Sequence, residues 1–237
     1  MNLEHPYCNP GKSLEITVEN KKFVRYPIKT HYIQVGQDNY IDIIKKYVVP
    51  IYQEGDFVSL SEKIISICQG RVINKKDVKV SWLARFLCKY VHTTPAGEHI
   101  AIPEKMQVAI DVAGVPRILF AAFCSAITRP FGIKGVFYRI AGRNVAGIDG
   151  FETDGFLEYI EMSILLPDKP NKVCDTIKKE TGVDCTIVDA NDLGIEILGL
   201  SSTLKYSKNE IKQIIRDNPA CQEDQCTPIV LIRESAS

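Results

Sequence analysis

The stretch Cys185-Thr-Ile-Val-Asp189-Ala-Asn-Asp192-Leu-Gly194, followed by the apolar run Ile195–Leu198, constrains the fold most tightly. A β-forming segment runs into two carboxylates and a carboxamide, and a second apolar segment follows a glycine. A buried strand with an acidic tip holds hard oxygen donors, or a general base, on a rigid element. The same Asp, Asn and Gly residues also build an ordinary turn. Both readings stand at this point.

The 237 residues suffice for one large domain or two closely joined small ones. Lys plus Arg and Asp plus Glu number 29 each, so general nucleic-acid binding, which needs a basic excess, is not expected. The N-terminus, Met1–Cys8, lacks the apolar core of a signal peptide, and the longest apolar run, Ile118–Ile127, is far short of a membrane span. A cytoplasmic location with no membrane partner is the expectation. None of the eight cysteines forms a Cys-x-x-Cys pair, which argues against a zinc ribbon or a thioredoxin-like site.

Apolar periodicity predicts a hairpin from Leu14–Val18 and Phe23–Tyr26, then a helix over Tyr40–Val49 with Asp38 as its N-cap. Phe57–Leu60 reads as a strand, and Ile64–Cys68 as a second short strand beyond a polar kink. Helices are predicted over 80–91, 103–113 and 116–128, the last strongly apolar and therefore expected to be buried. Val136–Ile140 and Tyr159–Leu166 read as strands. A helix from Pro167 to about Glu180 is capped by Gly182, a capping box at Ser207 and Glu210 opens another, and Ile229–Ile232 is a last strand. Without strict βαβ alternation the expected class is α+β, with mixed sheets and packed helices.

Three polar segments interrupt this apolar pattern: Gly147-Ile148-Asp149, Asp189-Ala190-Asn191-Asp192, and Ala220–Pro228. All offer oxygen donors and none contains histidine, which suits Mg²⁺ or Mn²⁺ better than zinc or copper. Such ions commonly travel with phosphate, so a nucleotide is the natural companion. The plainer alternative is three solvated loops. Gly11-Lys12-Ser13 ends like a P-loop, but its first glycine would fall at Pro6.

Five segments in order resemble the coenzyme F-420 γ-glutamyl ligase family. They are Gly55–Arg71, with Glu62, Lys63 and Gly70; Asn144-Val-Ala-Gly147-Ile-Asp149; Leu165-Leu-Pro167-Asp168; Thr186-Ile-Val-Asp189; and Gln222–Arg233. The resemblance covers roughly residues 28–233. It implies a γ-glutamyl-ligase-like domain over 28–237, open to division into two interleaved subdomains, behind an N-terminal arm and hairpin over 1–27. It also implies use of GTP and divalent metal to join L-glutamate to a carboxylate acceptor, and a homodimer. Asp149 and Asp189 would be metal ligands, Gln222 would serve a second metal, and Asn191 or Asp192 would replace a missing hydroxyl ligand. Thr30, His31, Tyr32, Ile33, Glu62, Lys63, Glu152 and the run Ala220, Cys221, Gln222, Glu223, Asp224, Gln225, Cys226 and Thr227 would line the nucleotide. The partners implied are the nucleotide and small acid and amino-acid substrates.

Departures from the family pattern are equally specific. Glu152 stands where the family has asparagine, Ala190 replaces a hydroxyl residue, Ile67 replaces a lysine, and Cys221 replaces a glycine. A lost lysine removes a charge-assisted phosphate contact. Two alternatives therefore accompany the ligase reading: a non-catalytic nucleotide- and metal-binding protein on the same scaffold, and a metal-dependent phosphohydrolase.

Overall fold

In the computed structural model the described residues are 7–90, 101–151, 161–191, 194–221 and 225–235. The chain divides into two compact units, one formed by Met1–Gly70 with Pro167–Ser237 and the other by Arg71–Leu166. Both mix strands and helices, so the class is α+β.

The first unit is built on a six-stranded mixed sheet. Its strands are β1 (Glu15–Val18), β2 (Lys21–Ile28), β3 (Phe57–Ser61), β7 (Cys185–Asn191), β8 (Gly194–Leu200) and β9 (Ile229–Glu234), in the spatial order β1-β2-β9-β3-β7-β8. The predicted hairpin is present, with Phe23 opposite Ile16. β3 lies parallel to β7 and antiparallel to β9, and Phe57, Val58, Ser59 and Leu60 are all buried. Burial on both faces explains why this strand shows no alternation of apolar and charged positions.

Helix α1 (Tyr40–Tyr47) is capped by Asn39, whose side chain accepts from the Ile41 N–H at 2.7 Å, and not by Asp38. The stretch predicted as a strand at Ile64–Cys68 is instead helix α2 (Glu62–Cys68). Ile64, Ile65, Ser66 and Ile67 are all buried, so no polar face marked the helical period. Parallel pairing of β3 with β7 also demands a crossover, which α2 begins. The later helices of this unit are Pro170–Thr181, ended by Gly182 in the left-handed region, and Lys208–Ile214 with its capping box. Ile211, Ile214 and Ile215 of the latter join Phe23, Phe57, Val188, Val230 and Ile232 in one core.

In the second unit β4 (Val72–Asn74), β6 (Met162–Ile164) and β5 (Asp149–Gly150) form a small sheet in the order β4-β6-β5. Around it are α3 (Trp82–Leu87), α4 (Pro103–Ala113), α5 (Val115–Thr128), α6 (Val136–Ala141) and α7 (Arg143–Ala146). The predicted strand Val136–Ile140 is thus helical. Gly135 and Gly142 bracket it, both at positive φ, and these end signals outweigh the β-forming composition. Helix α5 is not buried as expected: only Ile118 and Ala121 are buried, while its other apolar side chains face out.

Arg25 ties the first unit together from within. It is 1% exposed, donates to the Ile214 carbonyl at 2.9 Å and to Asp217 Oδ2 at 3.0 Å, and also contacts Asp217 Oδ1 and the Ser13 carbonyl. Burial pushes the Asp217 carboxyl up, but the hydrogen bond and charge of Arg25 outweigh this and hold it below the usual carboxylate range. Replacing Arg25 with alanine strands these acceptors beside an unpaired carboxylate. Arg25→Ala is expected to lower unfolding stability by about 3–5 kcal/mol in urea titrations. A change under about 0.5 kcal/mol, the surface-substitution range, would contradict that role.

Candidate functional site

The register of the first unit's sheet gathers the sequence-predicted segments at one edge. Ile28 of β2 faces Ile229 of β9, Ile229 faces Leu60 of β3, and Leu60 faces Ile187 of β7. These four residues form one row across the sheet. Just beyond it in each strand's direction come Thr30, Glu62, Asp189 and, on the chain entering β9, Thr227. Loops at this edge are tied by backbone bonds. The Thr30 N–H donates to the Cys226 carbonyl at 2.9 Å, and the Ser61 N–H donates to the Pro228 carbonyl at 2.9 Å.

A shallow, open cleft lies at this edge. Ser59 and Ser61 contribute hydroxyl groups, Val188, Ala190, Ile215 and Val230 contribute apolar wall, and Asn218–Cys221 with Pro228 closes one side. The loop is held in an uncommon backbone shape: Asn218, Cys221 and Cys226 have φ of 48°, 59° and 53°. Non-glycine residues in the left-handed region cost energy and persist where the surroundings over-determine them. The surroundings here include Asn9, in the stretch read as an arm. Asn9 is buried, and its Nδ2 donates to the Pro219 carbonyl at 2.8 Å and to Thr227 Oγ1 at 2.9 Å. Thr227 Oγ1 in turn donates to the Ala220 carbonyl at 2.7 Å.

His31 belongs to a hydrogen-bonded chain that sequence reading missed. Its Nε2 lies 2.8 Å from Asp38 Oδ1, its Nδ1 lies 2.7 Å from the Tyr47 hydroxyl, and the two rings stack at 5.7 Å. The Asp38 carboxylate accepts at Nε2, so that nitrogen carries a proton. The His31 backbone N–H donates to the same hydroxyl oxygen at 3.1 Å. Asp38 also accepts from the Gln34 N–H at 2.8 Å. Burial pushes the Asp38 carboxyl up, but these hydrogen bonds and the nearby His31 and Lys46 charges hold it below its ordinary value.

Asp189 sits inside β7, directly opposite Glu196 of β8. Its strand therefore continues through the acidic segment to Asn191, and β8 begins at Gly194. Like charges on directly opposed positions destabilise a ladder unless something compensates. Glu196 was absent from the sequence-based candidates. It was nonetheless reachable, because pairing Asn191 with Gly194 places Asp189 opposite Glu196.

In the second unit, Asp149 Oδ1 accepts from the Gly150 N–H at 2.7 Å, and the Asp149 carbonyl accepts from Ser163 Oγ at 3.0 Å. Gly150 has φ of 94°, and a Cβ there would lie 2.0 Å from the Met162 carbonyl oxygen, so the position next to Asp149 requires glycine. Glu152, Asp192, Gln222, Glu223 and Asp224 lie outside the described residues, and Asn191 is placed by its backbone alone. Among the described residues no three His, Cys, Asp or Glu side chains gather as a ready-made metal site. Glu62 and Lys63 open α2, Ile33 is buried, and Tyr32 and Gln225 are half-buried. Of the residues that depart from the family pattern, Ala190 and Cys221 line the cleft, and Ile67 is fully buried in α2. Two further motif residues are structural: Arg233 makes a two-pronged bond to buried Asp56, at 2.9 and 2.6 Å.

A depressed carboxyl stabilises the fold above its unfolded pKa, and this contribution is lost as pH falls through the folded value. Asp38→Asn is therefore expected to be less stable than the parent at pH 7. The gap should close as pH drops below about 3.9, the ordinary aspartate value. Thermal melts across that range check it, and a pH-independent gap would count against the charge.

The model of the F420-0:Gamma-glutamyl ligase family matches residues 27–192. An uncharacterized protein of Methanocaldococcus jannaschii is 28% identical over 177 residues, covering 70% of this chain. The chain spans about half the length of that curated relative, 56% of it. The family match takes in most of the edge described above: the Thr30 segment, β3 with α2, and β7. This chain belongs to the F420-0:gamma-glutamyl ligase family.

Proposed function

We propose that the chain is a nucleotide- and divalent-metal-dependent ligase that forms an amide between an amino acid such as L-glutamate and a carboxylate acceptor. The observation that carries this reading is the row Ile28–Ile229–Leu60–Ile187, beyond which the segments of Thr30, Glu62, Thr227 and Asp189 come to one edge. Asp189 and Glu196 offer a hard, carboxylate-only donor pair, the chemistry that Mg²⁺ or Mn²⁺ prefers. Asp149 in the second unit is assigned the same role by its place in the Gly-Ile-Asp loop. The ion, when bound, would neutralise charge on the transferring phosphoryl group. GTP is the nucleotide that the family suggests.

The chain's own residues have separate tasks in this reading. Thr30 and the 225–227 loop hold the nucleotide edge. His31 is held between Asp38 and Tyr47 next to Thr30 at that edge. Ala190 and Cys221 alter the cleft wall, so the acceptor need not be the deazaflavin coenzyme precursor. We also propose a homodimer. A non-catalytic nucleotide-binding protein is the second reading, favoured by the buried Ile67 in place of a lysine.

Isothermal titration with GTP and ATP, with and without Mn²⁺, tests the proposal. One nucleotide should bind in a metal-dependent way, and Asp189→Ala should weaken that binding by about 10–100-fold. No binding by either nucleotide in the presence of metal would refute it.

A further inference from the structure

Two cysteines, Cys221 and Cys226, stand at the two ends of the short segment 222–225. The residues just outside them are tied to each other. Thr227 Oγ1 donates to the Ala220 carbonyl at 2.7 Å, and that carbonyl belongs to the peptide unit joining Ala220 to Cys221. Asn9 reinforces the same neck, its Nδ2 donating to the Pro219 carbonyl at 2.8 Å and to Thr227 Oγ1 at 2.9 Å. Each arm is also fixed from outside. The Cys221 N–H donates to the Asn218 carbonyl at 3.1 Å, and the Cys226 carbonyl accepts from the Thr30 N–H at 2.9 Å. Cys221 and Cys226 are therefore the first residues inside a pinned neck, one on each side of it.

Both cysteines hold a left-handed backbone, with φ of 59° and 53°. A Cβ makes that conformation unfavourable, and cysteine is not among the side chains that tolerate it best. Strained positions of this kind cluster at ligand clamps and switch regions. Neither cysteine is a core filler, since both are half-buried free thiols. Other cysteines differ in kind. Cys174 and Cys185 are fully buried, and the Cys185 thiol together with burial pushes the Cys174 thiol far up. Burial pushes the Cys68 thiol up to about 12. Thiols held protonated in this way resist oxidation, because the thiolate is the reactive form. Cys8 is engaged locally, its Sγ donating to the Lys12 carbonyl at 2.9 Å.

We infer that Cys221 and Cys226 are a thiol pair that closes to a reversible disulfide across the neck of segment 222–225. A disulfide needs Cα atoms about 4.4–6.8 Å apart, close to the ~4.5–5.5 Å between residues directly opposed on antiparallel arms. The oxidant is a hydroperoxide. One thiolate attacks the O–O bond, forming a sulfenic acid and releasing hydroxide. The second thiolate attacks the sulfenic sulfur, the S–S bond forms, and the sulfenic oxygen leaves as water. Two thiols thus give up two electrons and two protons, and hydrogen peroxide becomes two waters. In a reducing compartment such a bond is transient and serves sensing, not structure. One consequence rests on the nucleotide reading given above, in which Ala220–Thr227 lines the nucleotide. The bridge draws the two sulfurs to ~2.05 Å across that segment and fixes it, so oxidation weakens nucleotide binding.

The test treats the full chain with hydrogen peroxide, alkylates the remaining thiols with iodoacetamide under denaturing conditions, and digests with trypsin. The tryptic peptide Asp217–Arg233 contains both cysteines. It should emerge unalkylated and lighter by two hydrogen atoms than the reduced peptide, and dithiothreitol should reverse the change. Cys174 and Cys185 should remain thiols. In parallel, GTP and ATP are titrated with Mn²⁺ present, before and after oxidation. Affinity should fall about fivefold or more on oxidation and return with dithiothreitol. Cys221→Gly, whose glycine suits the left-handed backbone, should give the same affinity with and without peroxide. Alkylation of both cysteines after peroxide treatment overturns the inference, and so does a bridge from either one to Cys8 or to a second chain. An affinity indifferent to the bridge overturns its control of binding. A bridge that forms in a chain binding neither nucleotide upholds the pair and refutes the nucleotide reading instead.

Discussion

The catalytic edge proposed for this protein depends on the backbone register of four neighbouring strands. Side chains alternate across a strand, so a one-residue slip moves every residue to the opposite face. In the first unit β2, β9, β3 and β7 are aligned through Ile28, Ile229, Leu60 and Ile187, each almost completely buried. That constraint delivers four segments, far apart in sequence, to a common edge. Buried Arg25 and the bidentate Arg233–Asp56 pair hold the surrounding chain to the same frame.

The edge also shows how the chain has diverged within its family. Ala190 and Cys221 both line the cleft, and Cys221 keeps the positive φ that a glycine would adopt without strain. Retaining such a backbone without glycine requires support, here from the Asn9–Thr227–Ala220 hydrogen bonds.

Much of the fold was legible in the sequence where local signals were unambiguous. The hairpin, β3, β9, α4 and the Ser207 capping box all follow from period or caps. The failures share a physical cause. At Ile64–Cys68 and Val136–Ile140 the side chains are β-forming or uniformly apolar, and only crossover geometry or flanking glycines decide for helix. The outward face of α5 was hidden for the converse reason, since hydrophobicity predicts burial only in the average case. At the site, Asp189 and the Thr30 and Thr227 segments were found by resemblance. The Asp38–His31–Tyr47 chain needs tertiary structure, because nothing in a sequence aims an imidazole between two partners 7 and 16 residues away. Glu196 needed only register arithmetic.

The central claim is that this edge supports amide formation at the expense of a nucleoside triphosphate. Its most direct test is mass spectrometry of reactions holding the full chain, Mn²⁺, GTP or ATP, L-glutamate and a panel of carboxylic acids. The account predicts a product heavier than one of the acids by a single glutamyl residue, formed together with nucleoside diphosphate and phosphate. Phosphate release that is indifferent to both glutamate and acid, with no conjugate formed, would contradict it and mark the chain as a phosphohydrolase.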